Sequence, residues 1–360
     1  MGAASGMRGW ARRFVLGSGS THGAKRGFRM SEGSWAAREK AARAWLRRHA
    51  ASMGLDAAAL GVRPVPNWGG FVNASYQVDD GERRWHLKLA AADESAGLRT
   101  WSQVHERLSA RYRAPRMTLS ADVPETGGWG ALFEHLDGSG ARVLGPGMVD
   151  QVLAMLTALH ADRALADALA ACAAPGAPEA LCLDHYLENH DRRFRADLES
   201  IAGGLPFLAA GDLEWMWGEV EALATRVRGM AAFQQRTRSP VHGDLWADNL
   251  LVAEDDSWRV VDWDDLRIGD PVVDYATVLG PAPHDLRPVD TSRLSPGVPL
   301  DAAARERLET YARAMLLDWV IDPLADWSDA DVAGADAPHF RTEKERVHRA
   351  AKALYRQRWG

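Results

Sequence analysis

The amino-acid sequence predicts an α+β chain of two lobes, a small antiparallel β-rich lobe first and a larger, mostly α-helical lobe after it. Three observations carry that prediction. Between Tyr76 and Leu136, short runs with period-two apolar alternation are broken by turn residues. From Pro146 onward, apolar residues recur at helical spacing instead. Within that helical part lies one short β-rich segment, Leu250 to Val261, bracketed by Asn and Asp. At 360 residues, 46% hydrophobic and 26% charged, the chain can bury a sizeable core, which argues against a disordered or fibrous protein. The expected division is a leader over 1–33, a first lobe over 34–137 and a second over 138–360.

In the first lobe, Tyr76-Gln77-Val78, Asp79-Asp80-Gly81 and Arg84-Trp85-His86-Leu87-Lys88-Leu89 read as strand, turn and strand. Trp85, Leu87 and Leu89 alternate with His86 and Lys88, so the two polar residues face away from the three apolar ones. Upstream, Asn67 to Asn73 contains Gly69 and Gly70, which let backbone amides come close to a phosphate because no Cβ intervenes. By itself the region reads equally well as an ordinary antiparallel sheet with an edge lysine. A helix is expected over about 93–109, with Leu98, Trp101, Val104, His105 and Leu108 on one face. At 100° per residue Glu94 falls on that same face and Glu106 on nearly the opposite one. Ala131 to Leu136, followed by Asp137-Gly138, reads as the last strand of the lobe and a hinge.

The second lobe is read from its stripes. Val149, Val152, Leu153, Leu156 and Leu159 follow Pro146, a residue tolerated at a helix start. Leu213, Met216, Trp217, Val220, Ala224 and Val227 follow Asp212, a candidate N-cap. Leu308 to Trp319 and Val347 to Tyr355 give two more. Such stripes are packing faces. His160, at the end of the first, is expected to be a satisfied structural histidine.

The chemistry concentrates between Val241 and Asp274. His242-Gly243-Asp244 is followed by Asn249 five residues after the Asp, then Asp262-Trp263, then Gly269-Asp270-Pro271. Leu250-Leu251-Val252 and Trp258 to Val261 flank the turn-forming Glu254-Asp255-Asp256-Ser257, so the segment reads as a hairpin that brings Asn249 and Asp262 side by side. An amide oxygen and a carboxylate so placed suit Mg²⁺, which binds through few protein oxygens together with substrate phosphates. A loop carboxylate beside them suits proton abstraction from an attacking hydroxyl. The competing reading is a solvated acidic turn. Asp270 and Asp274, beside Gly and Pro, are expected to bind local amides.

At these residues the chain resembles the aminoglycoside phosphotransferase and choline kinase family, which has a two-lobed protein-kinase-like fold. The resemblance rests on His242-Gly243-Asp244, Asn249, Asp262-Trp263 and Gly269-Asp270-Pro271, with Gly69-Gly70, Asn73, Tyr76, Val78 and Lys88 upstream. Leu245-Trp246 is also similar to the fructosamine kinase branch. The resemblance implies Asp244 as catalytic base, Asn249 and Asp262 as Mg²⁺ ligands, and Lys88 on the phosphates of ATP or GTP beneath a loop of Gly69, Gly70 and Asn73. It also implies that backbone near Glu134 to Leu136 meets the nucleobase. Kinases hold the strand lysine with a helical glutamate. Glu94 is the candidate here, although the family places its glutamate deeper, about where Trp101 sits.

Charge and composition narrow the acceptor. Residues 1–60 hold eleven Lys or Arg against three Asp or Glu, and the remainder 32 against 46, an acidic surface that argues against nucleic acid. Between Asp318 and Asp336 there are six aspartates, Trp319 and Trp327, and no Lys or Arg. Asp318, Trp319 and Asp322, with Asp264 and Asp265, are candidates to line a cleft for a cationic small molecule, against the plainer expectation of a solvated acidic loop. No apolar stretch approaches the roughly 20 residues needed to cross a bilayer. Cys172 and Cys182 show neither disulfide nor zinc spacing, so a reducing cytoplasm is the default location. The expected activity is a small-molecule kinase. A nucleotide-binding module without turnover, a protein kinase, and a metallohydrolase using His242, Asp244, Asp262 and Asp265 stay open as alternatives.

Overall fold

The fold is that of a computed structural model, which describes residues 32–65, 73–141, 144–172, 179–281, 300–328 and 337–360, with 286, 289, 290, 294 and 298 between them. The expected leader up to Ser31, the Gly69-Gly70 loop, and Asp329, Asp331 and Asp336 lie outside the described residues. Among the described residues no helix is long and apolar enough to cross a membrane.

Chain order in the first part is helix α1 (Glu32–His49), strands β1 (Gly61–Pro64), β2 (Asn73–Asp79) and β3 (Arg84–Ala90), helix α2 (Ala96–Arg111), then β4 (Met117–Val123) and β5 (Gly128–Glu134). The strands form an antiparallel sheet in the order β1-β2-β3-β5-β4. Period-two alternation gives it two distinct faces. Ala74, Tyr76, Val78, Trp85, Leu87, Leu89 and Leu132 pack with Ala41, Ala42, Trp45 and Leu46 of α1, forming a small separate core. On the other face Ala131 and Phe133 pack against Leu98 and Trp101 of α2, and the Trp101 and Phe133 rings lie 4.4 Å apart. His86 and Lys88 share that second face, as their alternation requires.

Helix α2 is tied to the second lobe at its far end. Arg107 reaches Asp162 with two bonds of 2.7 and 2.6 Å, and the Tyr112 hydroxyl donates to the same carboxylate at 2.5 Å. Asp162 also accepts the Leu165 amide, capping the helix that starts at Arg163. Leu98, Trp101, Val104 and Leu108 therefore belong to one contiguous core that continues to Tyr355.

The second part contains β6 (Ser139–Gly140), α3 (Pro146–His160), α4 (Arg163–Cys172), β7 (Ala180–Leu181) and α5 (Cys182–Tyr186). A π turn, Leu187–Asp191, joins α5 to α6 (Arg192–Ser200), and α7 (Asp212–Gly229) follows. After β8 (Arg236–Thr237) and β9 (Pro240–Val241) come β10 (Leu250–Val252), β11 (Trp258–Val260), β12 (Arg267–Ile268), α8 (Val272–Leu279), α9 (Ala302–Ser328) and α10 (Ala337–Trp359). The expected hairpin is present, with Leu250 opposite Val260 and Val252 opposite Trp258. Its turn is closed by Ala253 donating to the Ser257 carbonyl at 2.8 Å. All four expected helical stripes are helices. Helix α9 runs on through Pro323, because Val320, Ile321, Leu324 and Ala325 keep it buried, so Asp318 and Asp322 stand on a helix and not in a solvated loop.

Candidate active site

The His242-Gly243-Asp244 loop leaves β9, which pairs with β12 at Val241 and Arg267. Asp274, in the first turn of α8, holds it there: its carboxylate accepts the His242 and Gly243 amides, each at 2.9 Å, and His160 at 2.9 Å. Burial works against the Asp274 charge, but these donors keep it below the usual carboxylate range. Asp274 and His160 are thus the structural residues expected of them. Asp270 likewise caps α8 by accepting the Val272 amide at 3.1 Å and meets the buried Arg307 at 2.8 Å. The His242 ring donates from Nε2 to the Val261 carbonyl at 3.1 Å, leaving Nδ1 to accept the Asp244 amide at 3.3 Å, and it stacks on Trp263 at 4.6 Å. Gly243 has φ +87°, and a Cβ there would lie 2.8 Å from the Asp265 carbonyl oxygen, so this turn requires glycine.

Asp244 is buried, and the Asn249 amide donates to its backbone carbonyl at 2.7 Å and to Oδ2 at 3.4 Å. The Trp246 side chain favours the charged form of its carboxylate. Burial, with the charges of Asp265 and Asp262, pushes the Asp244 carboxyl well above its ordinary range, while Trp246 and Arg193 pull the other way. Asn249 Oδ1 and Asp244 Oδ1 are buried and accept no hydrogen bond from any described residue. Orphaned oxygens of this kind beside a carboxylate fit a hard cation. Among the described residues no three His, Cys, Asp or Glu side chains converge on a common metal position, so a cation here would take ligands from a substrate as well.

Asp262 follows the hairpin, where the Val261 amide donates to the Asn249 carbonyl at 2.9 Å. It has φ +63°, a conformation that costs a non-glycine residue on the order of 1–3 kcal/mol and is held where the surroundings impose it. The Lys88 ammonium, from β3, bonds to Asp262 and, at 2.8 Å, to Asp264. Burial alone would lower the Lys88 pKa, but the two carboxylates outweigh it and raise it. Asp264 is pushed up to about 7 by burial and by the Asp262 charge, while Asp262, the better paired, stays below its usual range.

Two sequence expectations change here. Glu94 does not stand on the helix: it ends a 3-10 turn, Ala92–Glu94, and α2 begins at Ala96. The groups that meet the Lys88 ammonium are Asp262, Asp264 and the Trp101 ring, 5.5 Å below it. Asp264, expected on the acceptor side, is on the lysine side. Gly97 explains how it gets there, since a Cβ at Gly97 would lie 2.0 Å from the Asp264 carbonyl oxygen, and only glycine lets α2 approach so closely.

Asn73 opens β2 and Glu134 ends β5. The Glu134 carboxylate accepts the Arg116 amide at 2.8 Å, a structural bond, and Leu136 follows two residues on. Gly69 and Gly70 lie outside the described residues.

On the far side of Asp244 the acidic residues expected along a cleft gather around an arginine that no sequence signal announced. The π turn rotates the helix so that Arg193 is buried against Asp318, within reach of the charges of Asp322, Asp197, Asp244 and Asp326. Asp322, half-buried near Asp326, is pushed up to about 7 by its desolvation and by the Asp326 charge, and Asp326 is paired with Lys344. Trp319 meets Trp246 edge to face at 5.6 Å and donates to the Pro281 carbonyl at 3.1 Å. Asp318, Trp319 and Asp322 therefore lie together beside the His242-Gly243-Asp244 loop. The Asp265 backbone carbonyl accepts from Arg267 at 2.9 Å, which ties Asp265 to the loop instead.

A family model described as "Phosphotransferase enzyme family" matches residues 63–317. No curated protein sequence matches the chain. Among solved structures, the choline kinase LicA from Streptococcus pneumoniae is 14% identical with a TM-score of 0.53, over 89% of this chain and 99% of that one. A choline kinase from Cryptosporidium parvum Iowa II is 14% identical with a TM-score of 0.52 and the same coverage. The spectinomycin phosphotransferase APH(9)-Ia, in complex with ADP and spectinomycin, is 14% identical with a TM-score of 0.53, over 88% of this chain and 98% of that one. At these identities the likeness is one of fold.

Proposed function

The chain belongs to the phosphotransferase enzyme family, and on that premise we propose that it transfers the γ-phosphoryl group of ATP or GTP to a hydroxyl of a small molecule, with Mg²⁺. One observation carries this reading: the ammonium of Lys88 meets Asp262 at the end of the hairpin that also presents Asn249, with Asp244 alongside. Phosphoryl transfer is largely a matter of positioning and charge neutralisation, and this arrangement supplies both.

In this reading Lys88 steadies the phosphates beneath the Gly69, Gly70 and Asn73 loop, and the backbone from Glu134 to Leu136 meets the base. Asn249 and Asp262 would hold the metal, which supplies positive charge to the phosphate oxygens. Asp244 takes the proton of the acceptor hydroxyl, and its raised pKa suits a group that must hold that proton. Trp246 and Asn249 fix its orientation. A nucleotide and a small acceptor are also what the spectinomycin phosphotransferase of like fold carries.

The acceptor side favours a cationic alcohol. Asp197, Asp318, Asp322 and Asp326 outnumber Arg193 and Lys344 there, and Trp246 and Trp319 offer aromatic faces. The test is ADP release across aminoglycosides, choline-like amines, amino alcohols, ketosamines and sugars. Turnover confined to hydroxylated amines is the expected result. Nucleotide-dependent stabilisation without ADP release from any acceptor would sink the enzymatic reading.

A further inference from the structure

The cleft face of the sheet carries polar side chains, two of which make no hydrogen bond with any described residue. Gln77 stands directly opposite His86, and Ser75 opposite Lys88, on the paired strands β2 and β3. All four are half-buried, while Tyr76, Val78, Trp85 and Leu87 on the other face are buried. Lys88 is bonded to Asp262 and Asp264, but neither the His86 imidazole nor the Gln77 carboxamide makes a hydrogen bond with any of the described residues.

Position gives these groups a partner. His86 lies two residues from Lys88 on β3, about 7 Å along the strand, on the side toward Arg84, whose carbonyl accepts the His135 amide at 3.3 Å. A ligand with phosphates at Lys88 and its base against the Glu134–Leu136 backbone must cross His86. We propose that His86, assisted by Gln77 across the strand, is a specificity-determining residue that hydrogen-bonds the nucleoside part of the phosphoryl donor. The inference rests on the nucleotide reading above.

The chemistry suits a neutral ligand surface. Burial, with the charges of Lys88 and His135, pushes the His86 pKa down to about 3, so the ring offers one donor and one acceptor and no charge. Gln77 adds the same pair of functions. Phe133 stands in register with His86 on β5, and its ring lies 4.4 Å from Trp101 of α2.

Binding of ATP, GTP and inorganic tripolyphosphate to the full chain, each with Mg²⁺, tests this by calorimetry. His86→Ala is expected to weaken the preferred nucleotide by about tenfold, the worth of a good hydrogen bond, and to leave tripolyphosphate affinity unchanged. Gln77→Ala is expected to act in the same direction and more weakly, and it serves if His86→Ala fails to fold. His86→Asn should recover part of the loss. Nucleotide affinities unchanged in both Ala variants, an equal loss for nucleotide and tripolyphosphate, or recovery by His86→Phe and not by His86→Asn would each overturn the inference. A wild-type protein that binds tripolyphosphate as tightly as ATP and GTP overturns it alone. One that binds neither overturns the nucleotide reading beneath it.

Discussion

At the scale of single residues, the site is a set of oxygens whose partners have been withheld. Asp244 and Asn249 each keep one buried oxygen unbonded, while their remaining atoms are held by each other and by Trp246. Asp244→Asn keeps the shape and removes the base. It is expected to lower turnover by about 10²–10⁴-fold with a melting temperature no lower than wild type, measured by ADP release and calorimetry. Retained turnover would remove Asp244 from the chemistry. Gly97 is the residue whose substitution should misplace the metal side. Gly97→Ala puts a methyl 2.0 Å from the Asp264 carbonyl oxygen, so α2 and the Asp262 segment must part. A loss of about 1–3 kcal/mol in denaturant unfolding, together with weakened nucleotide binding, is the expected outcome. An alanine variant equal to wild type in both would show the contact to be unimportant. That Asn249 and the Asp262 segment come together was readable from the sequence, because a hairpin has a fixed return. Arg193 and Trp101 were not, because a π turn and a sheet-helix contact leave no periodic trace.

At the scale of elements, α2 is the joint between the lobes. Its first turn presses on the Asp262 segment through Gly97, and its last turns hold Asp162 through Arg107 and Tyr112. Burial raises the Asp162 pKa, but Arg107, Tyr112 and the Leu165 amide bring it down to about 2. A depressed carboxylate pKa contributes stability above its unfolded value of about 3.9, and that contribution is lost as pH falls toward the folded value. Asp162→Asn should therefore cost about 2 kcal/mol at pH 7, with the gap to wild type closing between about pH 4 and pH 2. Urea midpoints across that range measure it, and a gap independent of pH would refute the ion-pair account. The sequence placed α2 within a few residues through its apolar face. It misplaced the start, since Glu94 belongs to a preceding 3-10 turn that only packing against β5 and the Asp264 segment selects.

At the scale of the whole molecule, one core runs from α2 into the helices of the second lobe, whereas α1 and one face of the sheet form their own. A ligand that bridges Lys88 on the sheet and Asp262 beyond the hairpin joins these two bodies. Nucleotide with Mg²⁺ at about 100 times its dissociation constant should stabilise the fold by about 2.7 kcal/mol. The part of this gain that depends on Mg²⁺ should vanish in Asp262→Ala. Thermal unfolding with and without the metal reads the difference, and a full Mg²⁺ response in that variant would place the metal elsewhere.

Taken by itself, the sequence determined the two-lobed class, the strand pair from Tyr76 to Leu89, α2 within a few residues, the four striped helices, the hairpin, and the grouping of Asp244, Asn249 and Asp262. Each depends on local periodicity or on the short reach of a turn. Only the tertiary structure decided that Asp262 and Asp264, with the face of Trp101, receive the Lys88 ammonium. It also decided that Asp318 is buried against Arg193, with Asp322 one turn on along a continuous helix. The ion pairs among them join residues more than a hundred positions apart, and a charge finds its partner through the packing of whole elements, which no local spacing encodes.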